Sequence, residues 1–281
     1  MAVCFADGHP GGSDPDYVRR RETIAALALG HEPGKPIACV GYTDREHDMW
    51  QLITSRLSSL HREHACAEFL AGADALGLPD DHVPELEDVS RTLRKITEFS
   101  LRPTVGSVSF DDFYGALHHR VFRTTQYLRH HSSPHFSPEP DMVHEMIGHA
   151  NVLANERIAR IYQVIGDATV RLTDPDAMLV AANVFWFCLE YGVIKKGDRV
   201  QAIGAGLLSS YGQMSQLQEA ETIPLDVREM ATRWYDDSAY KPTLFCAESF
   251  SHLEDFLGTF FTEVSDDTAR DFGLDLGRER W

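Results

Sequence analysis

The chain has 281 residues, 43% of them hydrophobic, enough to bury one sizeable core, and it reads as a single catalytic domain. Its formal net charge of −17 opposes phosphate backbones and anionic headgroups, which argues against nucleic acid or a membrane surface as partner and for a small molecule. No stretch approaches the roughly twenty apolar residues of a membrane span, residues 1–14 lack a basic start and an apolar signal core, and Cys4, Cys39, Cys66, Cys188 and Cys246 contain no C-x-x-C pair, so a cytoplasmic protein with reduced thiols is expected.

Residues 1–13, rich in Gly, Pro and Asp, read as a flexible lead-in to a domain over 14–281. The segment DYVRRRETIAALAL predicts a helix from Asp16 to Leu29 with Asp14 as its cap, broken by the Gly and Pro within His31–Lys35. Thr43 opens a long amphipathic run in which Met49, Leu52, Ile53, Leu57 and Leu60 are spaced as one helical face, expected in the core. His47, His61 and His64 on that run read as solvated helix histidines, because no acid or Cys marks a closed metal site beside them. A second amphipathic helix is expected over Glu85–Phe99, after the turn residues Pro79-Asp80-Asp81.

At Leu101 the helical period gives way to Pro103, Gly106 and β-branched residues, which predict a loop or short strand before a helix near Asp111. Gly106 would let backbone approach a planar ligand and Phe110 and Phe113 could stack on it; the same residues serve equally well as a turn and as core.

The stretch Pro140-Asp141-Met142-Val143-His144-Glu145-Met146-Ile147-Gly148-His149 carries the chemistry. A zinc protease places H-E-x-x-H so that both imidazoles share one helix face, whereas the spacing here is H-E-x-x-x-H. Five residues turn a regular helix by about 140°, so both rings reach one ion only if the backbone unwinds near Gly148 or His149 stands at the helix end. A third donor is offered by Glu190, inside the apolar run VFWFCLEYGVI, where an unpaired carboxylate would be costly and coordination removes that cost. Two His and one carboxylate form the facial triad of non-haem Fe(II) oxygenases, which leaves positions open for O2 and substrate. A salt bridge is the other reading of Glu190, and a zinc metallohydrolase with Glu145 as base is the other use of the three donors.

The blocks DPDYVRRR, HREHACAEF, VPELEDVS, LRPTVGSVS, RTTQYLRH, SPEPDMVHEMIGH, FWFCLEYG, KKGDRVQAIGAGLLSSYG and YKPTLFCAESF together resemble the catalytic domain of the tetrahydropterin-dependent aromatic amino acid hydroxylases. The resemblance implies a mainly α fold, a single helical basket-like catalytic domain with a few short strands. It implies Fe(II) held by His144, His149 and Glu190, a tetrahydropterin (tetrahydrobiopterin or related) and O2 as co-substrate. Gly106, Ser107, Val108, Phe113, Glu145 and Phe185 match pterin positions, Glu145 also being a catalytic position. Arg129 matches the arginine that pairs with the substrate carboxylate, positioned by Asp141, and Ser137, Pro140, Trp186, Gly206 and Ser209 match the rest of the substrate pocket.

The activity implied is ring hydroxylation of a free aromatic L-amino acid, phenylalanine to tyrosine first, with phenylalanine 3-hydroxylation or a tyrosine or tryptophan hydroxylase as alternatives. Departures stand at Thr104, Phe110, Arg123 (usually histidine), Phe185 (usually tyrosine), Ala150-Asn151 (usually Val-Pro) and Gln213 (usually glutamate). No regulatory domain and no heptad tail are read, so a monomer or dimer without tail-mediated tetramers is expected.

Overall fold

The computed structural model describes residue 5 and residues 8–106, 108–233 and 239–274; Ser107, expected at the pterin, lies outside the described residues. Helix α1 (Pro15–Leu29) starts where the Asp14 carboxylate accepts the N–H groups of Asp16 and Tyr17, with Pro15 at the first position. Helix α2 (Asp44–His64) opens on a reciprocal capping box between Thr43 and Glu46. Its buried stripe is Trp50, Ile53, Leu57 and His64, at intervals of three, four and seven residues. Leu52, expected on that face, is 44% exposed. It lies two residues past Trp50, about 200° round the helix, and Trp50 takes the core position instead.

Helices α3 (Ala67–Leu76) and α4 (Leu86–Thr97) follow. Strand β1 (Ser100–Pro103), helix α5 (Phe110–His118) and strand β2 (Val121–Thr124) form a unit in which β1 and β2 pair in parallel, Leu101 opposite Phe122 and Arg102 opposite Arg123. Leu101, Phe122 and Thr124 face the core from this pair. Residues 125–141 then run without regular structure into a π-helix, π1 (His144–Ala150), which continues as α6 (Asn151–Leu153).

The amphipathic α7 (Glu156–Thr169) packs on α5, and α8 (Pro175–Phe185) leads directly into a second π segment, π2 (Trp186–Glu190). Strands β3 (Val193–Lys196) and β4 (Arg199–Ala202) form a hairpin, followed by the short helices α9 (Ala205–Leu208) and α10 (Tyr211–Met214) and a 3-10 turn at Leu217–Glu219. Strand β5 (Glu221–Pro224), helix α11 (Val227–Thr232), strand β6 (Thr243–Ala247) and helices α12 (Phe250–Glu263) and α13 (Thr268–Asp271) complete the described chain. The four-stranded sheet has the order β4-β3-β6-β5, with β6 parallel to both neighbours.

The fold is mostly helical with a few short strands, as the resemblance implied. One continuous apolar cluster runs through it, with Trp50, Phe69, Phe99, Phe122, Tyr162, Phe245 and Phe261 fully buried, each contributing about 1.5–3 kcal/mol by leaving water. No helix among the described residues is long and apolar enough to cross a membrane.

Candidate metal centre and active-site cavity

The spacing problem of His144 and His149 is solved by unwinding of the helix around Gly148. The backbone widens into π1, where residues pair with i→i+5 geometry, so that five residues complete roughly one turn. The Asn151 N–H closes this segment on the Met146 carbonyl, again five residues back. Gly148 has a packing role as well. A Cβ there would stand 2.7 Å from the Ala205 carbonyl oxygen, so the glycine admits α9 against π1.

Glu190 ends π2 in the same way, with the Tyr191 N–H on the Trp186 carbonyl. The chain around α9 also packs tightly on this second segment. A Cβ on Gly204 would stand 2.3 Å from the Glu190 carbonyl oxygen, and one on Gly206 would stand 2.8 Å from the Tyr191 ring. The Gly206 N–H faces the Glu190 carboxylate and helps to hold it below its ordinary range. Gly204-Ala205-Gly206 is therefore a wedge between the two π segments, and it sets their separation.

The three predicted donors converge. His144 Nε2 lies 2.9 Å from His149 Nε2, and the Glu190 oxygens lie 2.9 Å from His149 Nε2 and 3.5 Å from His144 Nε2. The other ring nitrogens are engaged: His149 Nδ1 on the Tyr162 hydroxyl at 3.0 Å, His144 Nδ1 on Ser209 Oγ at 3.1 Å. Ser209 Oγ donates to the Ala205 carbonyl at 2.8 Å, so it accepts from His144 Nδ1–H and turns the Nε2 lone pair towards the other donors.

Two imidazoles with one carboxylate and no thiolate are a donor set that suits iron. Burial pushes His144 down to about 4 despite the nearby Glu190 carboxylate. Burial also opposes charge on His149 and Glu190, yet their mutual attraction wins, holding His149 above and Glu190 below its ordinary range. Glu145 is pushed up to about 7 by burial, against the pull of His149 and of the Thr125 N–H, which bonds its Oε1 at 3.0 Å.

A cavity of about 520 Å³ opens over His144 and Glu190. Arg129, Ser137, Pro140, Phe185, Trp186, Gly206 and Ser209 all line it, so these predicted site residues are brought together with two of the donors. Arg129 is buried and forked onto Asp141, Nη2 to Oδ1 at 2.7 Å and Nε to Oδ2 at 2.9 Å. Asp141, also buried, accepts the Arg129 and His144 backbone N–H groups, so one carboxylate ties the guanidinium to the start of π1. Arg129 holds the Asp141 carboxyl below its ordinary range against the effect of burial.

Gly106, Val108, Phe113 and Glu145 are not part of that cavity's lining. Phe113 meets Phe185 and Phe122 edge-on, at 5.6 and 5.5 Å between ring centres, and Phe122 packs on His149 at 4.5 Å. It is thus one ring removed from both the cavity wall and the histidine. Open space surrounds the position of a Cβ on Gly106.

Three departures from the family pattern carry buried polar atoms without a hydrogen-bond partner: Arg123 Nε, Asn151 Oδ1 and both amide atoms of Gln213. Asn151 Nδ2 donates to the Ile147 carbonyl at 3.0 Å.

Sequence reasoning passed over Tyr162 and Thr125, which hold His149 and Glu145. Tyr162 sits on the buried face of an amphipathic helix, where its hydroxyl is the one mark that sets it apart from core. Tyr114 and Asn183, which line the cavity, were missed as well.

Residues 4–274 match the family described as biopterin-dependent aromatic amino acid hydroxylase. The chain is 41% identical over 260 residues to the phenylalanine 3-hydroxylase of Streptomyces coeruleorubidus, covering 92% of this chain and 93% of that protein. It is 41% identical over 262 residues to the tyrosine 3-monooxygenase of Bos taurus, where it covers 91% of this chain but 53% of the relative, so it spans about half of that protein. The fold is that of the Chromobacterium violaceum phenylalanine hydroxylase solved with iron(III) and 7,8-dihydrobiopterin, with a TM-score of 0.78 at 23% identity over 92% of this chain and 96% of that one. The chain belongs to the biopterin-dependent aromatic amino acid hydroxylases, a family of pterin-dependent monooxygenases.

Proposed function

We propose that this chain hydroxylates the ring of free L-phenylalanine, using iron held by His144, His149 and Glu190, a tetrahydropterin and O2. The observation that carries the reading is the convergence of those three donors at the wall of a cavity that also contains Arg129. Iron and the reduced pterin, when bound, supply the activation of dioxygen. The chain supplies position. Asp141 holds Nε and Nη2 of Arg129, and Nη1 makes longer bonds to the Ser209 and Pro134 carbonyls at 3.3 and 3.5 Å; the amino-acid carboxylate is received on the Nη1–Nη2 edge in exchange for those long bonds.

Trp186, Phe185 and Pro140 form the apolar wall that orients the ring and keeps water out, with Ser137, Gly206 and Ser209 completing the pocket. Ser209 and Tyr162 keep the imidazoles in fixed orientation. The pterin is assigned to Gly106, Ser107, Val108, Phe113, Phe185 and Glu145, whose Oε1 is occupied by Thr125 and whose second oxygen serves the cofactor. The proposal extends to a cytoplasmic monomer or dimer; the free thiols of Cys39, Cys66, Cys188 and Cys246 support a reducing compartment.

The Streptomyces coeruleorubidus relative, matched over nearly its whole length, supports a second reading in which the meta rather than the para carbon is attacked. Incubation with Fe(II), tetrahydrobiopterin, O2 and each aromatic amino acid decides between them. Para-tyrosine or meta-tyrosine from phenylalanine is expected, and no pterin oxidation with any aromatic amino acid refutes the activity. Glu190→Ala is expected to abolish iron binding while the fold persists; an unchanged iron content removes the triad assignment.

A further inference from the structure

Arg102 and Arg123 are register partners in the parallel pair β1–β2, so their side chains leave the same face of a two-stranded ribbon. That face is the outer one, since the alternate residues Leu101, Phe122 and Thr124 are buried in the core. Like charges directly opposite one another on a sheet are destabilising, and a chain of net charge −17 has ample carboxylates to relieve them. None does so here. Among the described residues neither arginine forms a salt bridge or a side-chain hydrogen bond, and Arg123 Nε is buried without a partner.

A third nitrogen group, a neutral imidazole, lies in their field. His31, in the turn after α1, has its Nδ1 buried without a partner, and both Arg102 and Arg123 act on it electrostatically. The acids in range are otherwise engaged or too far to pair. Glu87 is occupied by the Ile37 N–H at 2.9 Å and by Arg91, and Asp112 acts on Arg123 from beyond salt-bridge distance. The concentration of unpaired donors has the chemistry of an empty anion site.

We propose that Arg102, Arg123 and His31 form an anion site on the outer face of β1–β2, which takes a phosphate or carboxylate group. Thr104 follows directly on β1, its N–H still bonded to the Thr124 carbonyl at 2.8 Å. Two sources share this chemistry: an anionic substituent on the side chain of the pterin, an arm that rests on the pterin assignment above, and a free anion. A planar guanidinium pair flanked by an imidazole takes three oxygens of one phosphate group, which a neutral pterin side chain does not offer.

The test measures melting temperature and binding calorimetry for the full chain and for Arg123→Gln and Arg102→Gln, with inorganic phosphate, with tetrahydrobiopterin, and with the same reduced pterin phosphorylated on its side chain. Phosphate is expected to raise the melting temperature of the parent chain by several degrees at saturation and that of the variants by none. In its absence the variants melt at or above the parent temperature, because a like-charge pair has been relieved; an arginine with a purely structural role would lower it.

If the pterin carries the anion, the phosphorylated pterin binds about tenfold tighter than tetrahydrobiopterin to the parent chain and equally well to Arg123→Gln. If the anion is free, phosphate binding is lost in the variants while the two pterins do not differ. The site is refuted if phosphate and the phosphorylated pterin fail to distinguish the parent chain from both variants. The phosphate arm needs neither metal nor turnover, so failure of the hydroxylase reading leaves it standing and its own failure leaves that reading intact.

Discussion

Gly148→Ala tests whether the wedge between the π segments sets the metal site. The new Cβ stands 2.7 Å from the Ala205 carbonyl oxygen, 3.0 Å from its Cβ and 3.2 Å from its carbonyl carbon, all atoms that cannot rotate away. Overpacking of this kind costs about 1–3 kcal/mol, which for a domain of this size lowers the melting temperature by roughly 3–10 °C. Ala205 cannot retreat freely, because Gly204 before it lies against the Glu190 carbonyl. Its displacement carries Ser209 away from His144 Nδ1 and the Gly206 N–H away from Glu190. Loss of such supports lowers metal affinity about 10–100-fold. The assay is thermal unfolding of the metal-free chain, followed by iron titration. Gly258→Ala in α12 is the control, since its Cβ meets nothing within 4 Å and the change should stabilise by about 0.5–1 kcal/mol. A Gly148→Ala chain with parental melting temperature and parental iron affinity refutes the reasoning.

Three further outcomes follow from single contacts. Tyr162→Phe removes the hydroxyl from His149 Nδ1 and is expected to cost about 1 kcal/mol in stability and about tenfold in iron affinity; unchanged iron affinity would mean that packing alone orients the ring. Asp141→Asn leaves the Arg129 charge buried without its counter-ion, expected to cost about 3–5 kcal/mol and to raise KM for the amino acid, and a loss under about 1 kcal/mol with KM unchanged contradicts the fork described here.

His61, whose Nε2–H donates to the Leu208 carbonyl, is pushed by burial down to about 4, so the folded state favours its neutral form. Its contribution to stability is full above the unfolded value near 6.5 and is lost as pH falls from there towards 4, at about 1.4 kcal/mol per pH unit. His61→Gln keeps a donor and flattens that slope; identical pH profiles of unfolding would show that His61 does not titrate there.

The elements written in side-chain period were legible. The Asp14 cap, the Thr43 start and the helix ending near Thr97 lie where capping residues and apolar spacing put them. Leu52 shows the limit of the method, because two stripes of similar hydropathy compete on α2 and only the partner surface selects the one through Trp50. Among site residues, Glu190 was legible because an acid inside an apolar run needs a cation, whereas Tyr162 and Ser209 were harder to see from the residues alone, since a hydroxyl on a helix needs no explanation until its partner is known. Gly106, Val108 and Phe113 are close in sequence to the β1–β2 unit, but closeness in sequence says nothing about which cavity wall they join.

The two π segments explain why the motif could not be resolved from spacing alone. Glu145, Met146, Ile147 and Ala150 are all compatible with an α-helix, so no local propensity separates i→i+4 from i→i+5 pairing. What separates them is tertiary. With α-helical pairing His144 and His149 diverge by about 140°, and with π pairing they lie 2.9 Å apart. The wider turn also forgoes tighter backbone packing, and α9 fills the adjoining space through Gly148, Gly204 and Gly206. H-E-x-x-x-H with a distant buried acid is therefore a sequence that can deliver its donors to one point only if a glycine within the motif and two more elsewhere let a third segment approach. The presence of IGAGLLSS some fifty residues downstream is as much a part of the metal centre as the histidines are.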